Sequence, residues 1–218
     1  MGTRPEGIKV APLVNHLRDK PGFEVKVCVT GQHREMLDQV LKLFGIVPDF
    51  DLNLMKPGQD LTDVTIGVMA GMREVLRQAD PEWTVVQGDT TTAFAAGLAA
   101  FYQRRKVAHV EAGLRTGNLQ SPWPEELNRR FVAQENITIT GNTVIDALLD
   151  VCAKLEQDEK LRSEIDSRFQ FLEQGKKMVL VTGHRRESFG QGFENICRAL
   201  RRIGDRGDVQ IVYPVHLN

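Results

Sequence analysis

Apolar residues recur along this chain at two spacings, every second position and every third or fourth, and the alternation between them predicts its elements. Residues 85–115 show this most clearly. Val85 and Val86 read as a short buried strand, Gly88-Asp89-Thr90 as a sharp turn, and the Ala-rich run 91–102 as a helix. Val107-Ala108-His109-Val110 is a second strand, ending in Glu111-Ala112-Gly113. Together these form a βαβ unit, with parallel strands and a right-handed crossover. Upstream, Val10, Leu13, Val14 and Leu17 mark a helix with Pro5 in its first turn, and Phe23, Val25, Val27 and Val29 alternate as a strand. A helix follows with Leu37, Val40, Leu41 and Phe44 on one face. After a loop at 48–58, Asp60 caps another helix with the stripe Val64, Val68, Met72, Val75 and Leu76. Downstream, a helix opens at Glu125-Glu126 with Leu127 and Phe131 as core contacts, and a strand covers 137–140. A helix with Val144, Ile145, Leu148 and Leu149 comes next, then a polar helical stretch at 158–171. Residues 177–182 are apolar enough for a strand buried on both faces, followed by a helix at 189–203 and a strand at 209–212. Such regular alternation predicts an α/β fold with doubly wound parallel sheets. The expected organisation is a first domain at 1–150, a connector at 151–175 and the start of a second α/β domain at 176–218.

Composition narrows the classes. The chain has 218 residues, 41% hydrophobic and 26% charged, an ordinary soluble globular composition. A formal net charge of -1 gives no reason to expect nucleic acid or an anionic membrane as partner. Cys28, Cys152 and Cys197 are too few and scattered for a disulfide framework or a Cys-based zinc site, which suits a cytoplasmic location. No apolar run is long enough to cross a bilayer, and the N-terminus lacks a signal peptide's apolar core. Met1-Gly2 begins like a myristoylation signal, but Glu6 stands where Ser or Thr is required.

The candidate chemistry lies where strands end. Asp89 and Glu111 each follow a parallel strand, so both fall on the carboxyl edge of the sheet, where ligands bind in open α/β folds. Asp89 reads equally well as a helix N-cap, and a surface ion pair with Arg115 is the plainer reading of Glu111. Glu125-Glu126 adds a third acidic position. Crowded acids shift one another's pKa values, which supplies both an acid and a base near neutral pH. Gly2-Thr3-Arg4-Pro5-Glu6, with Lys9 nearby, looks like an anion-binding turn, where free N–H groups and the helix dipole favour negative charge; alternatively it is a basic terminus. Gly183-His184-Arg185-Arg186-Glu187-Ser188 repeats that logic more strongly, because two unshared guanidinium groups are not buried cheaply.

These motifs carry a resemblance. Gly2-Thr3-Arg4-Pro5-Glu6 with Lys9, Gln32-His33-Arg34-Glu35-Met36-Leu37, Gly88-Asp89-Thr90, His109-Val110-Glu111-Ala112-Gly113-Leu114-Arg115, Pro124-Glu125-Glu126-Leu127-Asn128-Arg129, Ile139-Thr140-Gly141-Asn142-Thr143 and Gly183-His184-Arg185-Arg186-Glu187 resemble the signature of the non-hydrolysing UDP-N-acetylglucosamine 2-epimerases. The resemblance implies a GT-B-like architecture of two Rossmann-like domains with substrate in the cleft between them. It also implies interconversion of UDP-N-acetylglucosamine and UDP-N-acetylmannosamine for bacterial surface polysaccharides. The implied route is anti elimination of UDP to a 2-acetamidoglucal, followed by re-addition, with no nicotinamide cofactor, no metal and a homodimeric state. On this resemblance Asp89, Glu111 and Glu125 are the acids beside the sugar, and His184 favours UDP departure. Arg4, Lys9, Arg115 and Arg185 bind substrate, and Gln32, Glu35 and His216 match an allosteric site for a second UDP-N-acetylglucosamine.

The resemblance also implies a shortened form. The first strand of relatives has no counterpart before Gly2. A handful of residues between Arg130 and Ile137 replace part of a helix, a strand and a further helix, and most of the second domain lies beyond Asn218. The alternatives are a non-catalytic remnant that binds a nucleotide sugar weakly, a GT-B glycosyltransferase, and a hydrolysing epimerase.

Overall fold

Thr3 turns the chain into its first helix: its backbone is extended, its hydroxyl accepts from the Glu6 N–H, and Pro5 sits in the first turn, where a missing N–H costs nothing. That helix, α1 (Arg4–Arg18), begins a computed structural model that describes residues 1–31, 34–132, 141–182 and 190–214. The chain divides into two compact units, Met1–Lys154 and Leu155–Asn218.

In the first unit α1 is followed by β1 (Cys28–Val29), α2 (Arg34–Leu43), β2 (Phe50–Asp51) and α3 (Leu61–Ala79). Then come β3 (Trp83–Gln87), α4 (Thr91–Tyr102), β4 (Lys106–Val110), α5 (Glu125–Val132) and α6 (Thr143–Gln157), whose end enters the second unit. β1 pairs with β2 and β3 with β4, both parallel. Met1 adds one bridge beside β1. Its ammonium donates to Cys28 O at 2.8 Å, and the Thr30 N–H donates to Met1 O at 3.0 Å, the slanted pattern of a parallel pair centred on Val29. Gly2 then passes between the end of β1 and the start of α4. A Cβ there would lie 2.7 Å from both Thr30 Oγ1 and Thr92 Oγ1, so the passage requires glycine.

Period-2 alternation places helices on both faces. Val27 and Val29 join Val10, Ala11 and Val14 of α1 and Leu37, Val40 and Leu41 of α2 in one core. Cys28 and Phe50 point the other way, into a core built by Val68, Met72, Val75 and Leu76 of α3, the alanines of α4 and Val86 of β3. This is a doubly wound, Rossmann-like arrangement. α3 starts on a capping box: Asp60 accepts from the Asp63 N–H while Asp63 accepts from the Asp60 N–H.

Several expected features come out differently. The strand expected from Phe23 shrinks to Cys28–Val29, because its partner β2 has only two residues, and Phe23 is exposed. Val86 is 7% exposed but Val85 is 41% exposed, since α3 and α4 cover one face of β3. In α6 the inward residues are Ala147 and Val151, and Lys154 Nζ donates to Leu43 O at 2.5 Å; Ile145, Leu148 and Leu149 are exposed. The expected strand at 137–140 lies outside the described residues.

The second unit holds α7 (Glu159–Arg168), capped by Asp158, then β5 (Lys177–Leu180), α8 (Gln191–Gly204) and β6 (Val209–Val212). β5 and β6 are parallel, with Lys177 opposite Val209 and Leu180 opposite Val212. The strand expected to be buried on both faces is instead exposed at Met178 and Leu180, as α8 packs against β6. Among the described residues no helix is long and apolar enough to cross a membrane.

Leu76 is 1% exposed at the centre of the core between α3 and α4. Leu76→Ala is expected to lower the unfolding free energy by about 2–5 kcal/mol in urea titration. A loss well under ~1 kcal/mol would show that this core does not hold the unit together.

Candidate functional site

The register of β3 and β4 brings the first two acids together. Gln87 lies opposite Val110, and the Gly88 N–H donates to Val110 O at 3.0 Å, so Asp89 and Glu111 emerge side by side at the carboxyl end of the pair. Gly88 takes φ 73°, which glycine adopts freely. Glu111 takes φ 61°, a left-handed conformation costing a non-glycine residue about 1–3 kcal/mol and persisting where surrounding contacts hold it.

Asp89 is not the cap of α4. Thr90 is: its hydroxyl oxygen accepts from the Ala93 N–H at 3.1 Å and donates to Glu6 Oε1 at 2.6 Å. Asp89, left free, pairs through Oδ2 with Arg129 Nη2 at 2.5 Å, and its backbone carbonyl accepts from Asn128 Nδ2 at 2.8 Å. The Arg129 side chain is only 6% exposed. Asn128 and Arg129 stand three and four residues after Glu125, hence on the same face of α5. The helix face that grips Asp89 therefore also carries Glu125, whose Oε2 is buried without a hydrogen-bond partner. The expected inward residues of α5 are the outward ones. Leu127 and Phe131 are exposed while Glu126, Asn128, Arg129 and Val132 are buried, because this face meets Asp89 and α4.

Glu111 is held from two sides. Lys9 Nζ, reaching over from α1, and Gln87 Nε2 both donate to its Oε2. The alternative ion pair with Arg115 is not among the described contacts: Arg115 Nη1 donates to the carbonyls of Ala112 at 2.6 Å and Leu114 at 2.8 Å. Behind the acids, the fully buried Glu126 accepts from the Thr116 N–H at 2.9 Å and Arg130 Nε at 3.0 Å, fastening the 112–124 segment to α5. The Thr116 N–H keeps its carboxyl below the usual carboxylate range. His109 Nε2 lies 2.6 Å from Gly88 O, which fixes the Nε2–H tautomer, while Nδ1 is buried without a partner. Burial therefore pushes the His109 imidazole below its ordinary pKa of 6.5.

The first turn differs from the open anion cradle expected of it. Its Gly2 N–H already donates to Glu6 Oε2 at 2.5 Å, and the Glu6 N–H to Thr3 Oγ1 at 3.5 Å. Arg4 is exposed at the start of α1, and Glu35 is exposed in the first turn of α2. Gln32, His184, Arg185 and His216 lie outside the described residues. Among the described residues no cluster of His, Cys, Asp and Glu is arranged to hold a metal ion. Gln87, Asn128, Arg129 and Glu6 were not picked out as site residues from sequence. For Asn128 and Arg129 a signal existed in their helical offset from Glu125.

A parallel α/β unit with acids and a lysine gathered on its carboxyl edge places them where open α/β sheets bind their ligands. The chain belongs to the UDP-N-acetylglucosamine 2-epimerase family, whose profile matches residues 15–135 and 130–218. It is 56% identical over 241 residues to the UDP-N-acetylglucosamine 2-epimerase of Escherichia coli (strain K12), covering 100% of this chain and 64% of that one. With the Campylobacter jejuni enzyme of the same name the identity is 48% over 245 residues. Among solved structures, the Neisseria meningitidis UDP-GlcNAc 2-epimerase bound to UDP-GlcNAc superposes with a TM-score of 0.87 at 43% identity, over 100% of this chain and 65% of that one. The chain thus spans about 64% of the length of these curated relatives. The 241 aligned positions exceed the 218 residues here by 23. The two matched segments meet at 130–135, where the resemblance implies a shortened connection.

Two measurements check this electrostatic layout. Arg129→Met, which strands Asp89, is expected to cost about 3–5 kcal/mol in urea unfolding. Arg34→Met, which breaks exposed pairs with Asp38 and Asp51, is expected to cost about 0–1 kcal/mol per pair. The depressed His109 pKa means the unfolded chain binds the proton more readily. The contribution of neutral His109 is therefore complete above the ordinary value of 6.5 and lost as pH falls toward the lowered one. Between about pH 7.5 and about pH 5.5 the native chain is expected to lose more stability than its His109→Gln variant; equal losses would contradict this.

Proposed function

We propose that this chain acts as a non-hydrolysing UDP-N-acetylglucosamine 2-epimerase, interconverting UDP-N-acetylglucosamine and UDP-N-acetylmannosamine in the cytoplasm for bacterial surface polysaccharides. The observation that carries the proposal is the gathering of Asp89, Glu111 and Glu125 around one sheet edge, with Lys9 bonded to Glu111, in a member of this family. The C2 proton of the sugar is weakly acidic, so its removal needs a carboxylate held at the right place while positive charge stabilises the departing UDP. Anti elimination then gives 2-acetamidoglucal, and return of a proton to the other face with re-addition of UDP gives the epimer. Asp89, paired with Arg129, shapes the site. Among the described residues, Glu111 and Glu125 each keep an oxygen that no donor reaches, as proton exchange requires. Arg4, Lys9, Arg115, His184 and Arg185 would serve the diphosphate and Gln32, Glu35 and His216 an activator, in a homodimer. Support for these roles comes from their place in the family motifs.

A second reading, binding without turnover, draws on the Gly2 turn, whose N–H is already taken by Glu6 and not free for an anion. Incubation of the purified chain with UDP-N-acetylglucosamine in deuterated water separates the two. The epimerase reading expects deuterium at C2 and appearance of the manno epimer. Asp89→Asn, Glu111→Gln and Glu125→Gln should each slow that exchange by about 10²–10⁴-fold, with circular dichroism unchanged for the two glutamate variants, while Asp89→Asn, which strands the buried Arg129, also loses stability. Ligand binding with C2 still fully protonated would favour the second reading.

A further inference from the structure

The two oxygens of Glu111 are treated differently. Oε2 receives both Lys9 Nζ and Gln87 Nε2, whereas among the described residues no donor reaches Oε1. Gln87 is 5% exposed, closes β3, and stands opposite Val110, the residue just before Glu111, so its amide is carried to the carboxylate by the strand register itself. Lys9, by contrast, comes from a separate helix with its side chain 24% exposed, and it is the group a substrate anion would draw away. A buried neutral amide keeps its grip at any pH and leaves the carboxylate charge unquenched, which a proton acceptor needs. The left-handed backbone at Glu111 is a third restraint on the same side chain.

We infer that Gln87 is a positioning residue that anchors Glu111 through Oε2 and presents Oε1 as the oxygen that exchanges the sugar proton. The inference rests on the epimerase reading for its chemistry and on the Gln87–Glu111 contact for its geometry, and the two are tested separately. In the substrate-free chain, the Gln87 side-chain amide resonances should shift when Glu111 is replaced by Gln; amide signals indifferent to that change overturn the inference whatever the activity. In the exchange assay, Gln87→Leu should lower kcat by about 10- to 100-fold, as expected for a reacting group displaced by roughly 1 Å. KM and the urea midpoint should stay close to those of the parent chain. Because Gln87 acts through Glu111, Gln87→Leu should cost nothing further in the Glu111→Gln background. Undiminished kcat in the single variant, or the same loss in both backgrounds, overturns the inference. If the parent chain exchanges no deuterium, the epimerase reading fails along with the catalytic part of the inference, and the amide shift alone decides the contact.

Discussion

The ion pair between Asp89 and Arg129 is the constraint on which the rest of the first unit's edge depends. A guanidinium that is nearly out of water is tolerable only if a carboxylate meets it, and removing either partner leaves a buried charge uncompensated. The pairing fixes where α5 can lie: one turn of that helix must face the end of β3. Once it does, Asn128 takes the Asp89 carbonyl, and Glu125 is carried to the same edge with its Oε2 unbonded. Glu126, on the neighbouring side of the turn, is then buried and draws in the Thr116 N–H and Arg130. A single electrostatic requirement thereby orders a helix, a loop and an acid.

Glu111 is arranged on the same logic but with softer means. Its backbone conformation, a lysine from α1 and an amide from β3 converge on it from three elements that are far apart along the chain. Such sites need rigid support, and here the support is the parallel ladder, which fixes the offset between Gln87 and Glu111.

The fold was legible in sequence wherever local chemistry decided it. The Asp60 cap, the stripe from Val64 to Leu76 and the Ala-rich helix after Gly88 all follow from spacing and capping preferences, and all are present. What was hidden depends on partners distant in sequence. The Asp89 side chain was open to reading as a cap because nothing local reveals Arg129. The Arg115 alternative for Glu111 failed because the real cation is Lys9, 102 positions away. α5 was turned the wrong way because apolar residues were assigned to the interior, whereas its buried residues are mostly polar and satisfied by other loops. The strands expected at 23–29 and 177–182 are shorter and the one at Val85–Val86 is longer for the same reason: alternation marks what can pair, and only a neighbouring strand determines how much does.

The hydrogen bond between Thr90 and Glu6 joins the amino ends of two helices, α1 and α4, at one spot. Helix amino ends carry partial positive charge, and two of them together would ordinarily recruit a phosphate or sulfate. The fold has supplied its own resident anion, a carboxylate 4% exposed and already fed by the Gly2 N–H. The dipole pair is thereby neutralised from within, by a side chain the fold itself supplies.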